Sequence, residues 1–153
     1  MIAMKNTLKK FARNQRGSVA IETAFVIPIL ATMVLGGLEV SNIVSRQAEL
    51  QTAAAEAAQV VLARPPKEAS DRTKVESIIE ASTGLAADKV TMQHRYRCDT
   101  SNALVADPDT CGTTSVISEF IIIRMSDTYT PAWTDFGIGR PVSFNVSRRV
   151  QIS

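Results

Sequence analysis

The chain has little of what most catalytic or metal-binding proteins use. Its 153 residues include one histidine, two cysteines, one tryptophan and two tyrosines, and aromatic residues make up only 5%. No C-x-x-C pair occurs, and the single histidine, His94, adds at most a third soft ligand, which leaves a structural zinc site incomplete. There is no G-x-S-x-G nucleophile elbow. Gly137-Ile-Gly139 lacks both the third glycine and the strand-to-helix setting of a dinucleotide fingerprint. The acids Asp99, Asp107 and Asp109 do not follow EF-hand spacing, so they read as a solvated loop rather than a calcium site. His94 falls in an alternating strand pattern and reads as a satisfied sheet residue. Taken together, these absences argue against an enzyme and point to no catalytic residue, no metal and no cofactor. There is also no internal repeat and no low-complexity tract.

One stretch is abundant in what the rest lacks. Val19 to Leu38 is a run of twenty residues whose only charge is Glu22. A helix from Ser18 to Leu38 reaches about 31 Å, which matches a hydrocarbon core of about 30 Å. The run is too long for the apolar region of a secretory signal, about 7–15 residues. It therefore reads as a membrane span, with a buried core helix as the ordinary alternative.

Charge sets its orientation. Lys5, Lys9, Lys10, Arg13 and Arg16 all precede the run with no acid among them, and the next basic residue is Arg46. This asymmetry keeps the N-terminus cytoplasmic and sends the C-terminal part outward. The formal charge of +2 rests on that leader: a chain beginning at Ser18 holds twelve basic against fifteen acidic residues, a net −3. The basicity belongs to topology and gives no support for nucleic-acid binding.

Glu22 requires an account. A carboxylate at the centre of a membrane helix costs about 3 kcal/mol on insertion scales, unless it reaches the headgroups or finds a partner. It stands five residues after Gly17. A cut between Gly17 and Ser18 would create an ammonium on Ser18, and that group on one subunit could neutralise Glu22 on its neighbour.

The stretch Asn14-Gln-Arg-Gly17-Ser18-Val-Ala-Ile-Glu22, with the apolar run behind it, resembles a class III prepilin signal. Over roughly Asn14 to Val40 it is similar to the TadE-like minor pilins, or pseudopilins, of the Tad (tight adherence) branch of type IV pili. The matching parts are Arg16, Gly17, Ala20, Glu22 and Pro28. Thr23 follows Glu22 where Flp-type major pilins carry tyrosine, which favours a minor over a major subunit. The resemblance implies cleavage after Gly17 by a membrane prepilin peptidase, subunit assembly through Glu22, and function in pilus initiation and surface adherence. Its implied partners are that peptidase, other pilin and minor pilin subunits, the Tad assembly platform and inner-membrane lipid. It implies inner-membrane residence followed by the pilus or cell surface. The alternative is an unprocessed single-pass anchor carrying a partner-binding domain outside the cytoplasm.

The expected architecture is α+β: a long N-terminal transmembrane helix packed on a small antiparallel sheet, in the lollipop plan of pilins. Residues 1–17 form the basic leader, 18–38 the membrane helix, 39–64 its amphipathic continuation, and 65–153 a small α+β domain. Helical spacing of apolar and small residues continues to about Ala63, and Pro65-Pro66 ends it. Pro28 frees the carbonyl of Ala24 and marks an expected kink. A second helix, capped by Ser70 or Asp71, is expected to run to about Thr83, facing inward with Val75, Ile78, Ile79 and Ser82 and closed by Gly84. Three strands follow, around Val90–Arg97, Val116–Thr130 and Val142–Arg148. Cys98 and Cys111 lie in the exported part, where a disulfide is the default. Trp133 and Phe136, in the last connection, read as a small satellite core.

Overall fold

A computed structural model describes residues 16–153, with side chains from Val19 onward. The expected leader lies outside the described residues as far as residue 15, and Arg16, Gly17 and Ser18 are described as helical backbone only. The chain divides into two compact units, one ending at Ser41 and one spanning Asn42–Ser153.

Helix α1, Arg16–Ala63, runs through Pro28 and belongs to both units. Alanine-rich sequence after Ala48 favours helix, and the Pro65-Pro66 pair stops it where expected, with the Arg64 N–H still donating to the Val60 carbonyl at 2.9 Å. In the first unit the large apolar side chains are exposed, and the membrane-length window has no buried share. By length and composition this helix can cross a membrane.

The second unit has an ordinary core. Leu50, Ala54, Ala57 and Val61 recur at steps of four, three and four, so they form one buried stripe on α1. The stripe packs on a three-stranded antiparallel sheet in the order β1 (Val90–Cys98), β2 (Ile117–Tyr129), β3 (Val142–Gln151). Val90 pairs with Met125 and Met92 with Ile123, while Val146 and Val150 pair with Met125 and Ile121 from the other side. Alternation puts these residues on the face toward α1. Residues of the fully apolar Phe120–Ile123 run are buried on both faces. On the far face the Arg97 guanidinium lies 5.2 Å from the centre of the Phe120 ring.

Helix α2, Ala69–Thr83, is capped at Glu68, two residues before the nearer expected cap, Ser70, and has no side-chain capping bond. Its inward residues are Val75, Ile79 and Thr83, spaced by four. Ile78 is 65% exposed and Ser82 is also exposed, so the expected inner face is rotated by one residue. Gly84 ends the helix at φ 68°, a left-handed turn that favours glycine.

Candidate functional site

The candidate site begins with the polar groups of the apolar run. Only Glu22, Thr23 and Thr32 break the run from Val19 to Leu38. The Thr23 hydroxyl donates to the Val19 carbonyl at 2.7 Å. The Thr32 hydroxyl donates to the carbonyls of Pro28 at 3.0 Å and Ile29 at 2.8 Å. Both hydroxyls are thus satisfied by the helix itself, which suits them to lipid. Glu22 is exposed, and no ion partner for it exists among the described residues. Gly17 and Ser18 stand one turn N-terminal to it on the same helix. The run therefore carries one group without an ion partner among the described residues.

Past the run, an ion cluster fixes the start of the second unit. Arg46 Nε donates to Asp127 Oδ2 at 2.6 Å. Its Nη1 donates to Glu49 Oε2 at 2.9 Å and to the Thr83 carbonyl at 3.0 Å. One guanidinium thereby ties α1 to the end of β2 and the end of α2. Burial alone lowers the Arg46 pKa, but its hydrogen bonds to the Glu49 and Asp127 carboxylates outweigh it and leave the group raised. One turn earlier, Asn42 Nδ2 donates to the Tyr129 hydroxyl at 3.4 Å. Sequence reasoning missed this cluster and marked Arg46 only as the first basic residue after the apolar run. Arg46 and Asp127 are 81 positions apart, and no local pattern links them.

Cys98 and Cys111 sit at disulfide distance, with Cα atoms 5.5 Å apart. Within and beside the loop they close, the acids serve as turn formers. Asp107 Oδ1 accepts the Asp109 N–H at 3.0 Å, at the start of the short 3₁₀ turn Pro108–Thr110. Asp99 Oδ1 accepts the Val116 N–H at 2.8 Å. The Ser115 hydroxyl, then that N–H, hold the Asp99 carboxyl below its usual range. The loop also pairs Val105 with Tyr96 through two backbone bonds, which covers part of the free edge of β1.

His94 lies midway along the edge strand β1, its side chain 13% exposed. Its Nε2 faces Glu119 Oε2 at 3.4 Å without the alignment of a hydrogen bond, and its Nδ1 lies 3.4 Å from the Tyr96 hydroxyl. The ring is therefore less satisfied than its strand position suggested. Burial pushes its pKa down, against the pull of Glu119. Glu119 also takes the Lys67 ammonium at 3.0 Å.

These residues define an apolar helix of membrane-crossing length joined to a disulfide-closed unit of helix and antiparallel sheet. A model of the TadE-like protein family matches residues 17–59, the family that the opening of the chain resembles. The match begins at Gly17, includes Glu22 and Pro28, and extends through the buried stripe as far as Ala57. No curated protein and no solved structure matches the chain.

Proposed function

We propose that this protein is a minor pilin, or pseudopilin, of a Tad-type pilus. It is cleaved after Gly17 by a prepilin peptidase, held in the inner membrane by α1, and drawn into the pilus or its initiation complex to support surface adherence. The observation that carries this reading is Glu22, the single charge of the apolar run and without an ion partner among the described residues. The family match over residues 17–59 supports the same class. In this account the new ammonium of Ser18 on one subunit meets the Glu22 carboxylate of another. Both charges are neutralised in an apolar surrounding where either alone is unfavourable. Pro28 loosens one turn of the helix and lets it adjust to its neighbours. The second unit supplies contacts to sister subunits and to the assembly platform.

The test is assembly of Glu22→Ala and Glu22→Gln in the native cell. Both variants should be processed to the same mature mass as the parent and should stay in the membrane fraction. Neither should enter the sheared surface-fibre fraction, and adherence should fall with them. Normal fibres from both variants would remove charge pairing from the mechanism. Persistence of the full-length mass would favour an unprocessed anchor.

A further inference from the structure

Helices cover one face of the sheet, and the other face is basic. The alternation that turns Met92, Ile123 and Val146 toward α1 turns the residues between them the other way. Those outward positions hold four arginines, no lysine and no acid. The two acids of β2, Glu119 and Asp127, fall at the alternate positions. The register spreads the arginines evenly. Arg124 pairs with Thr91 and Ser147, Arg149 with Ile122, Arg95 with Phe120, and Arg97 with Ser118. Ser118, Phe120, Ile122 and Arg124 are alternate residues of β2, so each of four successive outward rungs carries one arginine. Adjacent rungs are about 7 Å apart, and the four together span about 20 Å.

Neutral groups hold these guanidiniums in place. Arg95 Nη2 donates to Gln93 Oε1 at 3.1 Å, and Arg124 Nη1 donates to the same oxygen at 3.2 Å. Arg97 Nη2 donates to Ser118 Oγ at 3.5 Å, and its Nε is buried without an acceptor. Among the described residues, no carboxylate stands within ion-pair distance of any of the four. One amide oxygen thus gathers two like charges, and the face carries an uncompensated positive potential. Its floor is apolar, since Phe120 and Ile122 are buried beside the arginine stems.

We propose that this face docks an extended acidic segment of a partner protein, with carboxylates at alternate positions. In an extended chain the side chains of one side repeat every two residues, about 7 Å, which is the step of the rungs. Each carboxylate meets one guanidinium, whose planar fork suits a carboxylate better than a lysine ammonium does. Single-stranded nucleic acid fits less well. Phe120 is the only aromatic residue at the outward positions, and it lies buried under Arg97, so bases find no exposed ring on which to stack. The face lies wholly within the second unit, so its occupancy depends neither on cleavage at Gly17 nor on the membrane role of α1.

The experiment measures fluorescence anisotropy of a labelled eight-residue peptide of alternating glutamate and threonine, titrated with the full chain in neutral detergent. Binding should weaken as salt is raised. Arg124 and Arg149 are exposed, so Arg124→Gln and Arg149→Gln should keep the parent's thermal midpoint. Each should weaken binding about threefold, and the pair about tenfold. Arg148 stands next to Arg149 in β3 but alternates to the opposite face, so Arg148→Gln removes the same charge and should leave binding unchanged. A peptide with its four glutamates in one block should bind several-fold more weakly than the alternating one. Equal binding of the two peptides, or an equal loss with Arg148→Gln, reduces the effect to net charge and overturns the site. Absence of peptide binding at low salt overturns it as well. Tighter binding of oligothymidylate or polygalacturonate than of the peptide assigns the face to nucleic acid or to an acidic polysaccharide and overturns the protein partner.

Discussion

At the scale of single residues, Glu22 is the group whose chemistry is left open. The two threonines of the apolar run are satisfied by their own helix, whereas Glu22 is not. On the proposed account the peptidase reads Gly17, so Gly17→Glu should retain the leader, seen as an unchanged full-length mass. His94 makes a second prediction. Its folded pKa is held below the unfolded value of about 6.5. Below that pH the unfolded chain therefore binds more protons than the folded one, and stability falls as pH drops. The Asp99 carboxyl is held below its usual range, so it adds nothing to the change from pH 7 to 5. Denaturant midpoints of the detergent-solubilised chain should drop over that interval, and His94→Gln should flatten the slope. The position of His94 in a strand was legible from alternation. Its imperfect contact with Glu119 was not, because that depends on the register between β1 and β2.

At the scale of elements, α1 does two physical jobs with one backbone. Its first part exposes large apolar side chains, and its last part buries a stripe against the sheet. Leu50 is fully buried in that stripe, so Leu50→Ala should lower stability by about 3 kcal/mol in denaturant titrations of the full chain. Insertion of α1 into membranes should be unchanged. Arg46 joins three elements, and Arg46→Met leaves Asp127 and the Thr83 carbonyl without their donor. A loss of about 2 kcal/mol is expected, with part of it recovered in the pair with Asp127→Asn, as a double-mutant cycle would show. The helix, its stop at Pro65-Pro66 and the three strands were all legible, since each rests on local periodicity or on proline. The rotation of α2 was not. Ile78 and Ile79 are adjacent and equally apolar, and only packing against β1 and α1 decides which one turns inward. The exposure of Phe136 escaped sequence reasoning for a related reason. A tryptophan and a phenylalanine three residues apart suggest a shared cluster, but Gly139 passes against the Trp133 indole while Phe136 is left exposed.

At the scale of the whole molecule, the pieces divide by environment. On the proposed account, the basic N-terminal residues face the cytoplasm, the apolar run crosses the bilayer and the disulfide-closed second unit lies in an oxidising exterior. Loss of the Cys98–Cys111 link by substitution to serine should cost about 3 kcal/mol on the chain-entropy estimate, and more under conditions that already weaken the sheet. The central claim is that the chain is a processed pilus subunit. It is tested most directly by the intact mass and N-terminal sequence of the protein recovered from its native membrane. The account predicts a mature chain that starts at Ser18. A chain that starts at Met1 with its leader intact would contradict it.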